Sequence, residues 1–421
     1  MSASPRGTPK HRVRRWIAAG LGVVVVCLAI FWGVSKYQLH QFESAARAAR
    51  QRGDWGRVAV ASRLWLEREP TDPLALTYSG EAAQARGAFG QAAEFFERLP
   101  SDDPRSAEGM CQLARLYRLP LNEPELAAAT LRHVIKLDPS VRQASVDLLR
   151  YYAVTLQSDL AHELARQVVL SGEEPLVAYV YLMDLEAVVL ASGADDNAHW
   201  LEQHPDSERY DVARTVHLAR AVSDGIAKQG FVAAEQRQEQ LEHQEDLLQQ
   251  GLAKYPGNRE LLIASMKLYS GRGDRDQVAR LLAEVPTSAA RDSRVWRYKG
   301  WLHRADDEFQ QAEAAYRTAI EKNPYDWKSR TQLGEVLRLQ SDMPAAEKQL
   351  QIADVGHELE TTLMNMDSAA VLPIPVLESM RFNAEQVGDG PVAEQLERRI
   401  AVLNAAQAAE PEAARMTGGG R

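Results

Sequence analysis

Apolar side chains along most of this chain recur with helical rather than alternating spacing, and no run of alternating β-branched residues is long enough to build a sheet. The pattern is clearest from Ser293 to Asp326, SRVWRYKGWLHRADDEFQQAEAAYRTAIEKNPYD, which predicts two helices joined by a short polar turn. Gly300 and Ala312 are small where two antiparallel helices approach closely, and Trp296 and Tyr316 fill the space to either side. Pro324, just past the second helix, cannot continue it and forces a turn. One such hairpin cannot bury its own apolar face, so neighbours are expected.

The same register finds them. A unit opening at Trp327 has Leu333, Gly334, Ala346, Leu350 and Ala353 in matching places. One opening at Arg259 has Tyr269, the turn Arg272-Gly273-Asp274 and Leu282. Units opening at Leu39 and Pro73 place Arg52-Gly53-Asp54 and Arg86-Gly87-Ala88 at that same turn, with Ala92 and Phe96 at packing positions and Pro70 and Pro104 as closers. A looser continuation carries Ala127, Leu131, Val134 and Pro139, then Ala161, Ala165 and Val168.

This residue set, at a period of about 34 residues, resembles the tetratricopeptide repeat. The resemblance implies an all-α chain, an α-solenoid of stacked helix-turn-helix units that binds proteins. The expected layout is N-terminal repeat units over 39–175, degenerate repeat-like helices over 176–258, C-terminal units over 259–360, capping helices over 361–408 and a disordered tail over 409–421.

The N-terminus changes the picture. Residues 1–15 carry Arg6, Lys10, Arg12, Arg14 and Arg15 with no acid, and the run from Trp16 to Val34 has no charge, close to the roughly 20 residues a helix needs to cross a bilayer. Residues 16–34 are therefore expected to form one transmembrane helix before the solenoid, with 1–15 as a cytoplasmic tail. That makes a single-pass membrane protein whose repeats face the periplasmic side of a bacterial inner membrane. The rivals are a cleaved signal peptide ending near Gly33-Val34-Ser35, and an outer mitochondrial anchor with cytosolic repeats.

The net charge is -9, and six cations with no acid lie in the first 36 residues, so the body is more acidic than the total suggests. An acidic body disfavours nucleic acid as a partner. Cys27 and Cys111, the only two cysteines, allow neither a disulfide framework nor a thiolate zinc site. His162-Glu163 and His357-Glu358 begin like a metalloprotease motif, but Arg166 and Thr361 stand where the second histidine belongs. No phosphate-cradling or nucleophile-elbow motif occurs, so no enzyme activity, cofactor, metal or small-molecule substrate is expected. The two Arg-Gly-Asp triplets read as inter-helix turns, with Gly supplying a positive φ and Asp capping the next helix.

The resemblance also implies a concave face lined by first helices. At the positions pointing into it stand Arg294, Arg297, Trp301 and Arg304, then Lys328, Thr331, Glu335 and Arg338. Arg294, Arg297, Trp301, Arg304, Lys328 and Arg338 form a candidate groove for an acidic or C-terminal segment of a protein partner. The plainer reading is that arginines are frequent in this chain and Trp301 merely packs between units. Ile263, Lys267, Arg297 and Trp301 stand where the family's chaperone-tail clamp has Lys and Asn, which argues against a co-chaperone role. The expected function is a membrane-anchored, non-enzymatic scaffold; the alternative is a maturation factor that holds extended peptides, as apocytochrome-presenting proteins do.

Overall fold

A computed structural model describes residue 32 and residues 36–172, 176–183, 192–228, 234–366 and 372–417. The chain divides into two compact units, Met1–Asp138 and Pro139–Arg421. Among the described residues all regular structure is helical.

The first unit contains α1 (36–51), α2 (Trp55–Leu66), α3 (Pro73–Gln84), α4 (Phe89–Glu97), α5 (Ala107–Arg118) and α6 (Pro124–Leu137). Successive helices pair as hairpins around Ala46, Val58, Trp65, Tyr78 and Ala82. Asp54 and Asp72 cap α2 and α3 by accepting from the backbone N–H groups of Arg57 and Ala75.

The second unit contains α7 (Arg142–Val154), α8 (Ser158–Leu170), α9 (Leu176–Met183), α10 (Gly193–Leu201), α11 (Glu208–Lys228) and α12 (Ala234–Lys254). It continues with α13 (Arg259–Arg272), α14 (Arg275–Glu284), a short 3-10 turn (Thr287–Arg291), α15 (Ser293–Ala305), α16 (Phe309–Lys322), α17 (Trp327–Leu339) and α18 (Met343–Met364). It ends with α19 (Ile374–Val387) and α20 (Gly390–Thr417). Helix α20 continues to Thr417, past residue 409 where the sequence suggests that order ends.

Hairpin α15–α16 is as tight as its small residues imply. A Cβ on Gly300 would lie 2.7 Å from the ring of Tyr316, and one on Gly334 would lie 2.6 Å from Leu350 in hairpin α17–α18. In the first unit the same place is taken by Gly80, where a Cβ would lie 2.5 Å from Phe96. Both Arg-Gly-Asp triplets are inter-helix turns. Gly273 has φ 73°, and Asp274 caps α14 through the backbone N–H of Gln277.

Among the described residues no helix is long and apolar enough to cross a membrane. The expectation of a single-pass protein with its repeats on the periplasmic face is corrected on that ground. The most apolar described helix, α9, has 8 residues and so spans about 12 Å of a hydrocarbon core about 30 Å thick. The run 16–34 on which the expectation rested lies outside the described residues apart from Trp32.

Helix α9 is instead an interior helix. Every residue from Ala178 to Met183 is buried, as befits a helix that is apolar all round. Tyr179 donates from its hydroxyl to the carbonyl of Met380 on α19 at 2.6 Å, and its ring meets Tyr325 edge-on at 5.9 Å. Nearby, Arg166 of α8 forms a two-armed ion pair with Asp389, at the turn between α19 and α20, and Tyr325 donates to the same carboxylate. Burial alone would push the Asp389 carboxyl up; the Arg166 guanidinium outweighs it and holds the group below the usual range. The beginning of this unit is thus fastened to its end.

Candidate functional site

The fastening decides the fate of the groove residues. Arg294, on the first turn of α15, is 2% exposed. Its guanidinium donates to Asp292 at 2.7 Å, to Glu260 at 2.9 and 3.0 Å, and to the Ser158 hydroxyl of α8 at 3.3 Å. Burial works against its charge, but Asp292 and Glu260 more than offset that, so it stays firmly protonated. Burial likewise opposes ionisation of Asp292, yet the Arg294 guanidinium keeps its carboxyl below the usual range. Arg297 is buried too and donates to Asp326 at 3.2 Å.

Arg304 is half-buried and reaches Glu335 on α17 at 2.6 Å. Arg50 does the same in the first unit, reaching Glu81 on α3, and both pairs span 31 residues. An arginine near the end of one first helix therefore bridges to a glutamate in the next. Trp301 packs, partly buried, on the cluster of Leu262, Ile263, Met266 and Tyr298 between α13 and α15. Lys328 lies over the Trp327 ring at 5.5 Å, and Arg338 is exposed. The six residues are thus not one surface: Arg294 and Arg297 are interior, Arg304 and Trp301 join repeats, and Lys328 and Arg338 keep contact with solvent.

The open space lies beside them, at helix ends rather than along helix faces. One cleft of about 670 Å³ is bounded by the start of α8 (Ser158, Asp159, His162), the 3-10 turn (Ser288, Arg291) and the close of α16 (Lys322, Asn323). A second, of about 470 Å³, runs between the α7–α8 turn, Glu208 and Arg209 of α11, and the start of α13. Asp159 borders both, and its carboxylate is held by Arg259 at 2.7 Å. His162, first residue of one near-miss motif, shares a hydrogen bond with the Tyr181 carbonyl at 3.4 Å; burial holds its pKa below that of an ordinary histidine, favouring the neutral ring. His357, of the other, stacks on Trp327 with ring centroids 4.5 Å apart.

The cleft was missed in the sequence because it is assembled from the ends of elements far apart in the chain. One local signal was present: Asn323, in the closing turn before Pro324, sits where a polar side chain caps a chain reversal.

No protein-family model and no curated protein matches the sequence. Solved structures similar to the chain include a tetratricopeptide repeat protein from Parabacteroides merdae, at 14% identity and TM-score 0.28, covering 71% of this chain and 99% of that one. Another is the APC/C hetero-tetramer Cut9-Hcn1, at 11% identity and TM-score 0.32, covering 87% of each chain. A third is the human IFIT1 dimer with PPP-AAAA, at 14% identity and TM-score 0.32, covering 88% of this chain and 87% of that one. Likenesses this distant say nothing of partner or activity. The chain's own hairpins have the small residues at the helix crossing, the glycine turns and the proline closer on which the resemblance to the tetratricopeptide repeat rests.

Proposed function

We propose that the chain is a non-enzymatic scaffold that docks a protein partner, with the seat formed by the two clefts that meet at Asp159. The observation that carries this reading is how the ionisable groups around the clefts are used. Asp159 is paired with Arg259, and Glu260 and Asp292 with Arg294. These groups hold helices together, and what they leave open is a shaped polar surface suited to recognition. Trp301, Lys328 and Arg338 keep some solvent-accessible surface but lie on helix faces and line neither cleft, so they stand outside the proposed seat.

A photo-crosslinking amino acid placed at Ser288, on the exposed rim, tests this in the full chain expressed in its own host; Glu347, exposed on α18, is the control position. The expected result is a discrete protein adduct from position 288 and none from 347. Equal adducts from both positions, or none from 288, would contradict the seat.

A further inference from the structure

The larger cleft contains donors that the fold itself does not use. Asn323 is 4% exposed, and its Oδ1 accepts from the backbone N–H of Tyr325 at 3.1 Å, which fixes how the amide is turned. Its Nδ2 borders the cleft and has no acceptor among the described residues. Ser293 is 3% exposed, lines the same cleft, and its hydroxyl also has no partner there. At the rim, Arg291 and Lys322 are exposed and neither forms an ion pair among the described residues; Lys322 only lies 6.0 Å from the Trp296 ring.

The acids at the cleft are already satisfied. Asp292 is held by Arg294, and it caps α15 by accepting from the backbone N–H of Arg294. Asp159 is held by Arg259. The start of α15 therefore offers an incoming anion little from its dipole, since Asp292 already occupies it. What remains unmatched is two neutral donors that open onto the cleft and two exposed cations. A carboxylate, an acceptor at both oxygens, satisfies several such donors at once.

We propose that this cleft captures an anionic group, the carboxylate of an acidic peptide segment, on Ser293 and Asn323, with Arg291 and Lys322 drawing it in. The proposal rests on the docking reading above and names the partner's chemistry. The seat is at the ends of α8, α15 and α16, apart from the inner helix faces that the repeat pattern singles out.

The test is a fluorescence-anisotropy titration of the full chain with labelled hexaglutamate, with hexaglutamine carrying the same label as control. Hexaglutamate is expected to bind and hexaglutamine not. The double variant Arg291→Glu/Lys322→Glu, on the surface, should weaken binding at least about tenfold, as loss of charge-assisted contacts implies. Asn323→Asp keeps the oxygen that caps Tyr325 while replacing the donor with charge, so it should weaken binding similarly. Displacement of the peptide by inorganic phosphate would assign the site to small anions generally, and persistence of the peptide would assign it to peptide carboxylates. Equal binding of hexaglutamine, no binding of hexaglutamate, or full binding by the double variant would overturn the proposal. A Ser288 crosslink that survives such a failure leaves the docking seat standing, whereas loss of both removes the seat as well.

Discussion

Hairpins α15–α16 and α17–α18 and the helices α8 and α9 are held by contacts of very different range. In the hairpins each helix packs on the one next to it in sequence: Gly300 against Tyr316, Gly334 against Leu350. Helices α8 and α9 are fixed by residues about two hundred positions away, Arg166 by Asp389 and Tyr179 by Met380. A local rule repeated along a chain leaves a periodic trace in the sequence. A closure between distant elements leaves none.

Arg294 is where the two regimes meet, and its removal should have the largest effect. It belongs to a regular hairpin yet is sealed in by Ser158 of α8. Arg294→Ala leaves two buried carboxylates, Glu260 and Asp292, with only Arg259, at 3.1 and 3.5 Å, to offset them, so chemical denaturation should show a loss of about 3 kcal/mol. A loss below about 1 kcal/mol, the usual worth of an exposed ion pair, would mean that α8 does not close over it.

His217 probes the irregular side through pH. It is 2% exposed, shares a hydrogen bond with the Val154 carbonyl through Nε2 at 2.9 Å, and its Nδ1 has no partner among the described residues. Burial pushes its pKa down to about 4, against the Val154 hydrogen bond, which favours protonation, and with the Arg220 charge, which opposes it. At neutral pH the folded ring is neutral. As pH falls below about 6.5 the unfolded chain takes a proton that the folded chain refuses until about 4, so stability drops across that window, by roughly 3 kcal/mol in total. His217→Gln should flatten that part of the profile; a variant with the wild-type slope would place the pH dependence elsewhere.

Within the regular hairpins, Gly300→Val forces a side chain into the Tyr316 ring and should cost about 1–3 kcal/mol by overpacking. An equally stable variant would show that the helix crossing is looser than its spacing indicates. Arg304→Ala removes a partly exposed bridge to Glu335 and should cost at most about 1 kcal/mol, read from the same denaturation curves.

The same contrast explains what could be read in advance. The helical hairpins, the glycine turns capped by Asp54 and Asp274, and the packing of Phe96 and Tyr316 follow from neighbours in sequence. The burial of Arg294 and Arg297 does not. By position in the repeat they face a groove, and only the return of α8 and the carboxylates of Glu260, from the preceding repeat, and Asp326, at the close of their own, turn them into interior ion pairs. The membrane expectation rested on residues 16–34, outside the described helices. The polar cleft was hidden because Ser158, the pair Arg291 and Ser293, and Asn323 come from three separate chain segments, none of which carries a motif alone.

The most direct test of the docking account is hydrogen–deuterium exchange of the full chain with and without hexaglutamate. Slower exchange confined to the 3-10 turn, the first turn of α15 and the close of α16 is the predicted result. Unchanged exchange there, or protection along the inner faces of α15 and α17 instead, would contradict it.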